Sequence, residues 1–240
     1  PRTLAVAEVG WTQPKFKDFS DFSNRLLNAY ARMDQYDVNY HIPLPEQVGG
    51  SMGHLAFTDS LEVAFTSTRP VKMVYTLDGS EPGLESTVYT EPLSFSDSKT
   101  IRIRSVLESG RMSWPRTIEI EKQELTPAIE NTPLNKGLKL KIADEKCIYV
   151  SEIANITQWK DSVIEKVDVI STLRPNFLQI PQFYVAIAEG YINIPADDIY
   201  YFRSNNTRIW VANKLAVDND NKAQLNSKYG YSLALQKGWH

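Results

Sequence analysis

The sequence predicts a mainly β chain that opens with a short helical segment and continues into two antiparallel β-sandwiches. Three observations carry this reading. Over residues 1–46 apolar side chains recur at intervals of three and four. Over residues 50–122 they alternate with polar ones in short runs separated by turn dipeptides. Over residues 130–240 the alternation returns in longer, aromatic-rich runs. Intervals of three and four mark a helix with one apolar face, and an interval of two marks a half-buried strand.

Leu4, Ala7 and Trp11 share one face of the first helix. Asp18 or Ser20 can cap the second, where Phe19, Phe22, Leu26, Tyr30 and Met33 form a stripe. Two helices bury little against each other, so these stripes call for a partner, and no neighbouring sequence supplies one. Tyr40-His41-Ile42-Pro43-Leu44-Pro45 is an extended connector stiffened by proline, and Gly49-Gly50-Ser51-Met52-Gly53 marks a boundary after it.

In the middle segment Leu61, Val63 and Phe65 form one period-two run, and Val71, Met73, Tyr75 and Leu77 a second. Ile101 and Ile103 alternate with Arg102 and Arg104, and Ile118 and Ile120 close the set. Asp78-Gly79, Glu81-Pro82 and Ser109-Gly110 are the turns between them, a pattern that fits a small immunoglobulin-type sandwich. Pro127 and Pro133 bracket a polar linker. Beyond it, Tyr191–Ile194, Tyr200–Phe202, Arg208–Ala212, Leu215–Val217 and Tyr231–Leu235 read as strands. Gly238-Trp239-His240 reads as a turn that calls for a further strand, so the expectation is a sandwich cut short at its C-terminus.

The composition is 42% apolar and 23% charged with a net charge of −3, that of an ordinary globular protein. Lys and Arg are scattered rather than clustered among aromatics, which argues against a nucleic-acid partner. No apolar run approaches the ~20 residues of a transmembrane segment. Cys147 is the single cysteine, which excludes a disulfide framework and a thiolate metal site. It reads as a small core residue.

Pro1-Arg2-Thr3-Leu4-Ala5-Val6-Ala7-Glu8-Val9-Gly10-Trp11, with the stripe from Phe19 to Met33 and then Asn39-Tyr40, resembles the end of the (β/α)8 barrel of glycoside hydrolase family 20, the β-N-acetylhexosaminidases. Val74-Tyr75-Thr76-Leu77-Asp78-Gly79-Ser80-Glu81-Pro82, followed by Tyr89, Pro92-Leu93, Thr100–Ser105 and Gly110–Ser113, is similar to the sandwich at the C-terminus of chitobiases and hexosaminidases. Gly190–Asp197, Tyr200-Tyr201-Phe202 and Trp210–Asn219 resemble a protective-antigen-type β-sandwich. The resemblance implies three parts: terminal helices of a truncated barrel at 1–46, the immunoglobulin-like sandwich at 50–122, and the protective-antigen-type sandwich at 130–240. It also implies a bacterial protein placed in the periplasm, outside the cell or at its surface.

Enzymes of family 20 use the substrate's own acetamido oxygen as nucleophile. The family carries an adjacent Asp-Glu at a barrel strand end and a Trp-x-Glu from a later strand. Asp144-Glu145 is the one Asp-Glu dipeptide here, far past the helices, and reads as a solvated turn or strand end. No Trp is followed two residues on by Glu. Glu8 reads as a structural carboxylate and Trp11 as an anchor between helix and barrel. His41, His54 and His240 pair with no Ser or Cys in a recognisable motif. The expectation is a chain without catalytic residues of its own and with no cofactor.

Calcium is the one ion worth weighing. Asp218-Asn219-Asp220-Asn221-Lys222 is rich in oxygen ligands, which makes Asp218 and Asp220 metal candidates, although the EF-hand pattern fails at Ala223 and Tyr229 and a hairpin loop explains the run more simply. Protective-antigen-type lectins usually hold calcium with an Asp-Asp pair. At the matching place stand Asn205 and Asn206, whose neutral amides weaken any such site. Asn205, Asn206 and Trp210 are the carbohydrate-binding candidates, with Tyr200, Tyr201, Tyr229 and Tyr231 as further aromatics able to stack on a sugar. Period-two alternation turns about half of such aromatics into the core.

Three readings follow. The chain is the C-terminal part of a β-N-acetylhexosaminidase, partnered by the catalytic barrel of the same protein and meeting glycans only through the intact enzyme. Alternatively it is a carbohydrate-binding or adhesin-like module without catalysis. Or, compatibly with the first, its sandwiches are structural spacers.

Overall fold

The computed structural model of the chain describes residues 2–50, 53–131, 137–145, 150–164, 185–204, 208–218 and 230–240. Two α-helices open it, α1 at Arg2–Trp11 and α2 at Phe19–Gln35. Nine strands follow: β1 at Glu46–Gln47, β2 at His54–Phe57, β3 at Leu61–Val63, β4 at Phe65–Thr66, β5 at Lys72–Thr76, β6 at Thr87–Val88, β7 at Leu93–Phe95, β8 at Lys99–Val106 and β9 at Arg116–Lys122. Beyond the linker lie β10 at Leu138–Ala143, β11 at Lys160–Ile164, β12 at Val185–Gly190 and β13 at Asn193–Ile194. The series ends with β14 at Asp198–Arg203, β15 at Arg208–Val211, β16 at Lys214–Asp218, β17 at Gly230–Leu235 and β18 at Gly238–Trp239. The architecture is mainly β, as the alternation predicts. Short 3-10 turns at Pro14–Phe16 and Val150–Asn155 are additions, the second a brief return to helical backbone that the sequence reading lacks.

The chain forms two compact units. The first gathers Pro1–Gly50, Val63–Leu93 and Ile101–Thr117; the second gathers Ser51–Glu62, Ser94–Thr100 and Ile118–His240.

In the first unit, the Asp18 carboxylate caps α2 by accepting from the Asp21 N–H at 2.7 Å. The helix ends where Asp37 turns left-handed at φ 50 and the Val38 N–H returns to the Met33 carbonyl at 2.8 Å, a Schellman-type closure. Neither helix has a fully buried residue. Trp11 is 91% exposed and Phe19 83%, so Trp11, expected as an anchor, stays largely uncovered among the described residues. Glu8, expected to be a structural carboxylate, is gripped by the two terminal guanidinium nitrogens of Arg25 at 2.8 and 3.1 Å. A knot ties the end of α2 to the rest of the unit. Tyr40 donates to Asp34, Arg111 pairs with Asp34 at 2.6 Å and donates to the Val38 carbonyl, and the Arg69 guanidinium lies 4.1 Å from the Tyr30 ring centre.

β5 pairs antiparallel with β6 and with β8, and β1 with β4. Met73 and Tyr75 lie opposite Ser105 and Ile103 in register, on the face the alternation gave them. The fully buried residue of β5 is nevertheless Val74, on the other face opposite Arg104. Both faces of this strand are covered, which a simple in-out alternation cannot express.

In the second unit β2 pairs with β9 in parallel, in register from His54↔Glu119 to Phe57↔Lys122, within a set the sequence reading took as antiparallel. β10 lies between β11 and β12, β14 pairs with β17, β15 with β16, and β13 with β18, all antiparallel. Ile194, Val211, Ala216, Leu233 and Leu235 form a core against which Tyr200, Phe202, Ile209 and Tyr231 pack.

Two expectations are corrected here. Gly238–Trp239 is strand rather than turn: β18 pairs with β13, and the following His240 exchanges backbone bonds with Ile192 at 2.9 Å in each direction. The polar linker is also partly paired. Thr126 donates to the Ala234 carbonyl at 2.8 Å and accepts from Gln236 at 3.0 Å, and Ile129 donates to the Trp239 carbonyl at 2.8 Å. Pro127 removes a donor only at its own position, so Thr126 and Ile129 on either side of it can still pair.

Gly230 faces Arg203 at the start of β17. A Cβ there would run into the Tyr201 ring and hydroxyl and would stand 2.7 Å from the Phe202 carbonyl oxygen, which is backbone and cannot swing away. Gly230→Ala is therefore expected to cost about 2 kcal/mol of stability by overpacking. A fall in the thermal midpoint checks it, and an unchanged midpoint would contradict the packing described.

Candidate functional site

Trp210 stands on β15 directly opposite Leu215 of β16. Opposed residues share a face of the ladder, and both are open to solvent, Trp210 at 57% and Leu215 at 40%. Ala212 and Asn213 join the two strands with φ of 49 and 62, a two-residue turn with both central residues left-handed. The hairpin thus presents an outward apolar pair beside a tight turn. Such a pair can lie against the C–H face of a sugar ring or any flat apolar group.

At the hairpin's other end the Arg208 Nε donates to Asp218 Oδ1 at 2.9 Å across the register pair Arg208↔Asp218. This metal candidate therefore serves as an ion-pair partner. Asn205, Asn206 and Asp220 lie outside the described residues, as do Tyr229 and Cys147. Of the other aromatics, Tyr200 packs on the core and its hydroxyl donates to the Ala196 carbonyl, Tyr201 is 38% exposed, and Tyr231 is half-buried. Among the described residues no three His, Cys, Asp or Glu side chains gather to hold a metal ion. Asp144 and Glu145 are exposed just past β10, where a strand end was expected.

Sequence reasoning missed a polar node around His54. The imidazole is 1% exposed. Its Nε2 lies 2.8 Å from Glu121 Oε2, the oxygen that also accepts from the Tyr231 hydroxyl at 2.9 Å and from Gln123 Nε2 at 2.6 Å. The Tyr231 ring stacks on the imidazole with centroids 3.4 Å apart. The Ser232 N–H donates to His54 Nδ1 at 3.3 Å, and the Gln123 side chain spans from the Ser232 carbonyl to the Ala234 N–H. Burial works against ionising Glu121, yet the bonds from Gln123, Tyr231 and His54 outweigh it and hold the carboxyl below its ordinary value. Burial, and then the neighbouring carboxylate, push the Tyr231 phenol well up, so it stays protonated.

A second arrangement explains the most distinctive string in the sequence. In Tyr75–Pro82, Asp78 Oδ1 accepts from the Ser80 N–H at 3.0 Å and from its hydroxyl at 2.6 Å, and the Thr76 hydroxyl donates to the Ser80 carbonyl at 2.6 Å. The bonds from Ser80 hold the Asp78 carboxyl below its usual range. Gly79 supplies the φ of 79 the turn needs. Arg104 then ties the loop down, donating to the Pro82 carbonyl at 3.1 Å and the Ser113 carbonyl at 2.9 Å, while Arg102 and Arg104 both pair with Glu81. The bonds made by Thr76, Asp78 and Ser80 fix the turn and give this string a structural role.

Residues 55–117 match the chitobiase/beta-hexosaminidase C-terminal domain, and residues 153–239 match the PA14 domain. Over its whole length the chain is 40% identical, across 242 residues, to the beta-hexosaminidase of Porphyromonas gingivalis (strain ATCC BAA-308 / W83), and it spans 31% of that protein's length. It thus corresponds to a C-terminal part of a hexosaminidase. Among the described residues no helix is long and apolar enough to cross a membrane.

Proposed function

We propose that this chain is the accessory, C-terminal part of a β-N-acetylhexosaminidase of glycoside hydrolase family 20, a hydrolase that releases terminal N-acetylhexosamine from glycans. Residues 1–46 are the closing helices of its catalytic barrel, 50–122 its immunoglobulin-like sandwich and 130–240 its protective-antigen-type sandwich. The 40% identity to a beta-hexosaminidase along the full chain carries this reading. The apolar sides of α1 and α2, with Leu4, Trp11, Phe22 and Leu26 lining a cleft between them, dock on the barrel and account for side chains left without cover. The enzyme works in the periplasm, outside the cell or at its surface, and needs no cofactor.

The chain supplies none of the carboxylates that the reaction requires, so it is inactive by itself. Incubated with a chromogenic N-acetyl-β-glucosaminide it is expected to release no chromophore. Turnover that follows the purified chain through successive columns would overturn the reading.

The exposed pair Trp210 and Leu215 favours a second reading, a carbohydrate-binding or adhesin-like module. In that case Trp210 stacks on the sugar, Asn205 and Asn206 bond to its hydroxyls, and Asp218 with Asp220 hold calcium. Calorimetry with N-acetylglucosamine oligomers, with and without calcium, separates the two: heat of binding lost in Trp210→Ala supports this module, and no heat rules it out.

A further inference from the structure

The node around His54 has a proton economy of its own. A backbone N–H can only donate, so His54 Nδ1, which receives the Ser232 N–H at 3.3 Å, is unprotonated. The ring proton therefore sits on Nε2 and is given to Glu121. A second proton has one place to go, Nδ1, where it would point at the Ser232 N–H and set two donors against each other.

The charged and titratable groups on the strands packed against His54 are few among the described residues. β9 brings Glu121, bonded to the ring, Glu119, its register partner, and Lys122 at the strand end. β17 brings the Tyr231 phenol. The second proton keeps the bond to Glu121 and strengthens it. What it removes is the bond from the Ser232 N–H.

We propose that His54 is a pH-sensitive latch that holds β17 to β2 and β9 in its neutral form and releases the Ser232 contact when protonated. The asymmetry is the substance of the device. The side-chain bond to Glu121 runs through Nε2 and survives acid; the bond from the Ser232 N–H runs through Nδ1 and does not, while the Ser232 hydroxyl still donates to the His54 carbonyl at 3.2 Å. The neutral ring makes the contact, so the contact is intact on the alkaline side of the titration and lost on the acid side. Imidazoles ordinarily titrate between about pH 5 and 8, and Glu121, held below its ordinary value, remains ionised across that window. Gln123 and Thr126 still hold Ser232 and Ala234, so β17 loosens at one point and does not detach. The latch does not depend on the hexosaminidase reading.

The test is nuclear magnetic resonance on the whole chain, whose three histidines make the His54 ring signals assignable. Amide exchange at Ser232, corrected for the intrinsic pH dependence, is expected to speed up at least tenfold between pH 7.5 and 5, with the midpoint of the His54 titration. Ile103, in the other unit, is expected to stay unchanged. In His54→Asn, which keeps an acceptor near Nδ1 without a titratable ring, Ser232 protection is expected to be independent of pH. Should that variant not fold, the wild-type comparison decides alone. Flat Ser232 protection while His54 titrates would overturn the latch. So would a His54 ring that stays neutral until the chain unfolds, nitrogen shifts showing a protonated Nδ1 at pH 7.5, or a wild-type pH dependence in His54→Asn.

Discussion

Arg104→Met is expected to lower the stability of the chain by about 3 kcal/mol, more than any other single change in the clamped loop. The Arg104 side chain is 13% exposed. Its guanidinium satisfies the carbonyls of Pro82 and Ser113 and adds a weaker pairing with Glu81 at 3.3 Å. Hydrogen bonds from a charged donor are worth ~1.5–3 kcal/mol each, and methionine fills the space of the stem while leaving both carbonyls without a partner. The pairing with Glu81 adds little, because Glu81 is half exposed and water competes for it. Arg102→Met is the comparison. Arg102 shares Glu81 but its other bond, to the Gly79 carbonyl, is 3.5 Å long, so about 1 kcal/mol is expected. Urea unfolding of the two variants gives the order, and equal losses would show that Arg104 does not hold the loop as described.

Leu235→Ala is expected to cost about 3–4 kcal/mol. Leu235 has no exposed surface, ends β17, and belongs to the core formed with Ile194, Val211, Ala216 and Leu233. It also faces Asp198 in the β14 ladder and bridges to Thr126, so its backbone is pinned and the site cannot collapse to fill the space. A cavity that cannot close costs the transfer term and the void together. Leu215→Ala, on the open face of the β15–β16 hairpin, removes the same atoms and is expected to cost under about 1 kcal/mol. A small loss at Leu235 would mean that the core cluster is not the centre of its unit.

The periodic parts of this fold are legible in the sequence because periodicity is a local property. The stripe from Phe19 to Met33 lies on α2, the pair Ile101 and Ile103 is fully buried on β8, and the runs Tyr200–Phe202, Arg208–Ala212, Leu215–Val217 and Tyr231–Leu235 fall on β14 to β17, with Ala212 in the turn after β15. Asp18 is the cap its position announces. What escaped is long-range. Glu119 and Glu121 alternate with Ile118 and Ile120, so they read as a wet face, and nothing local shows that Glu121 meets a histidine 67 residues earlier and a tyrosine 110 residues later. Arg102 and Arg104 posed the same problem: alternation marks them as outward, yet their outward face is covered by the turn they clamp. The parallel pairing of β2 and β9 is equally silent, since alternation records which face a residue takes and not the direction of its neighbour. Of the candidate site, the structure places Trp210 in the open and Asp218 in an ion pair, while Asn205, Asn206 and Asp220 fall outside the described residues.

The stretch around Thr126 and Ile129 makes the choice of where to divide this polypeptide consequential. Its proline-flanked, polar composition invites a cut, and the PA14 match that begins at residue 153 invites excision of everything before it. Yet the same stretch supplies the hydrogen-bonding neighbours of Ala234, Gln236 and Trp239. A piece starting downstream of it would carry those strand ends unpaired, and a bare strand end is an adhesive surface toward its own kind. Clumping of such an isolated piece would therefore report a misplaced incision, not an inherently sticky domain.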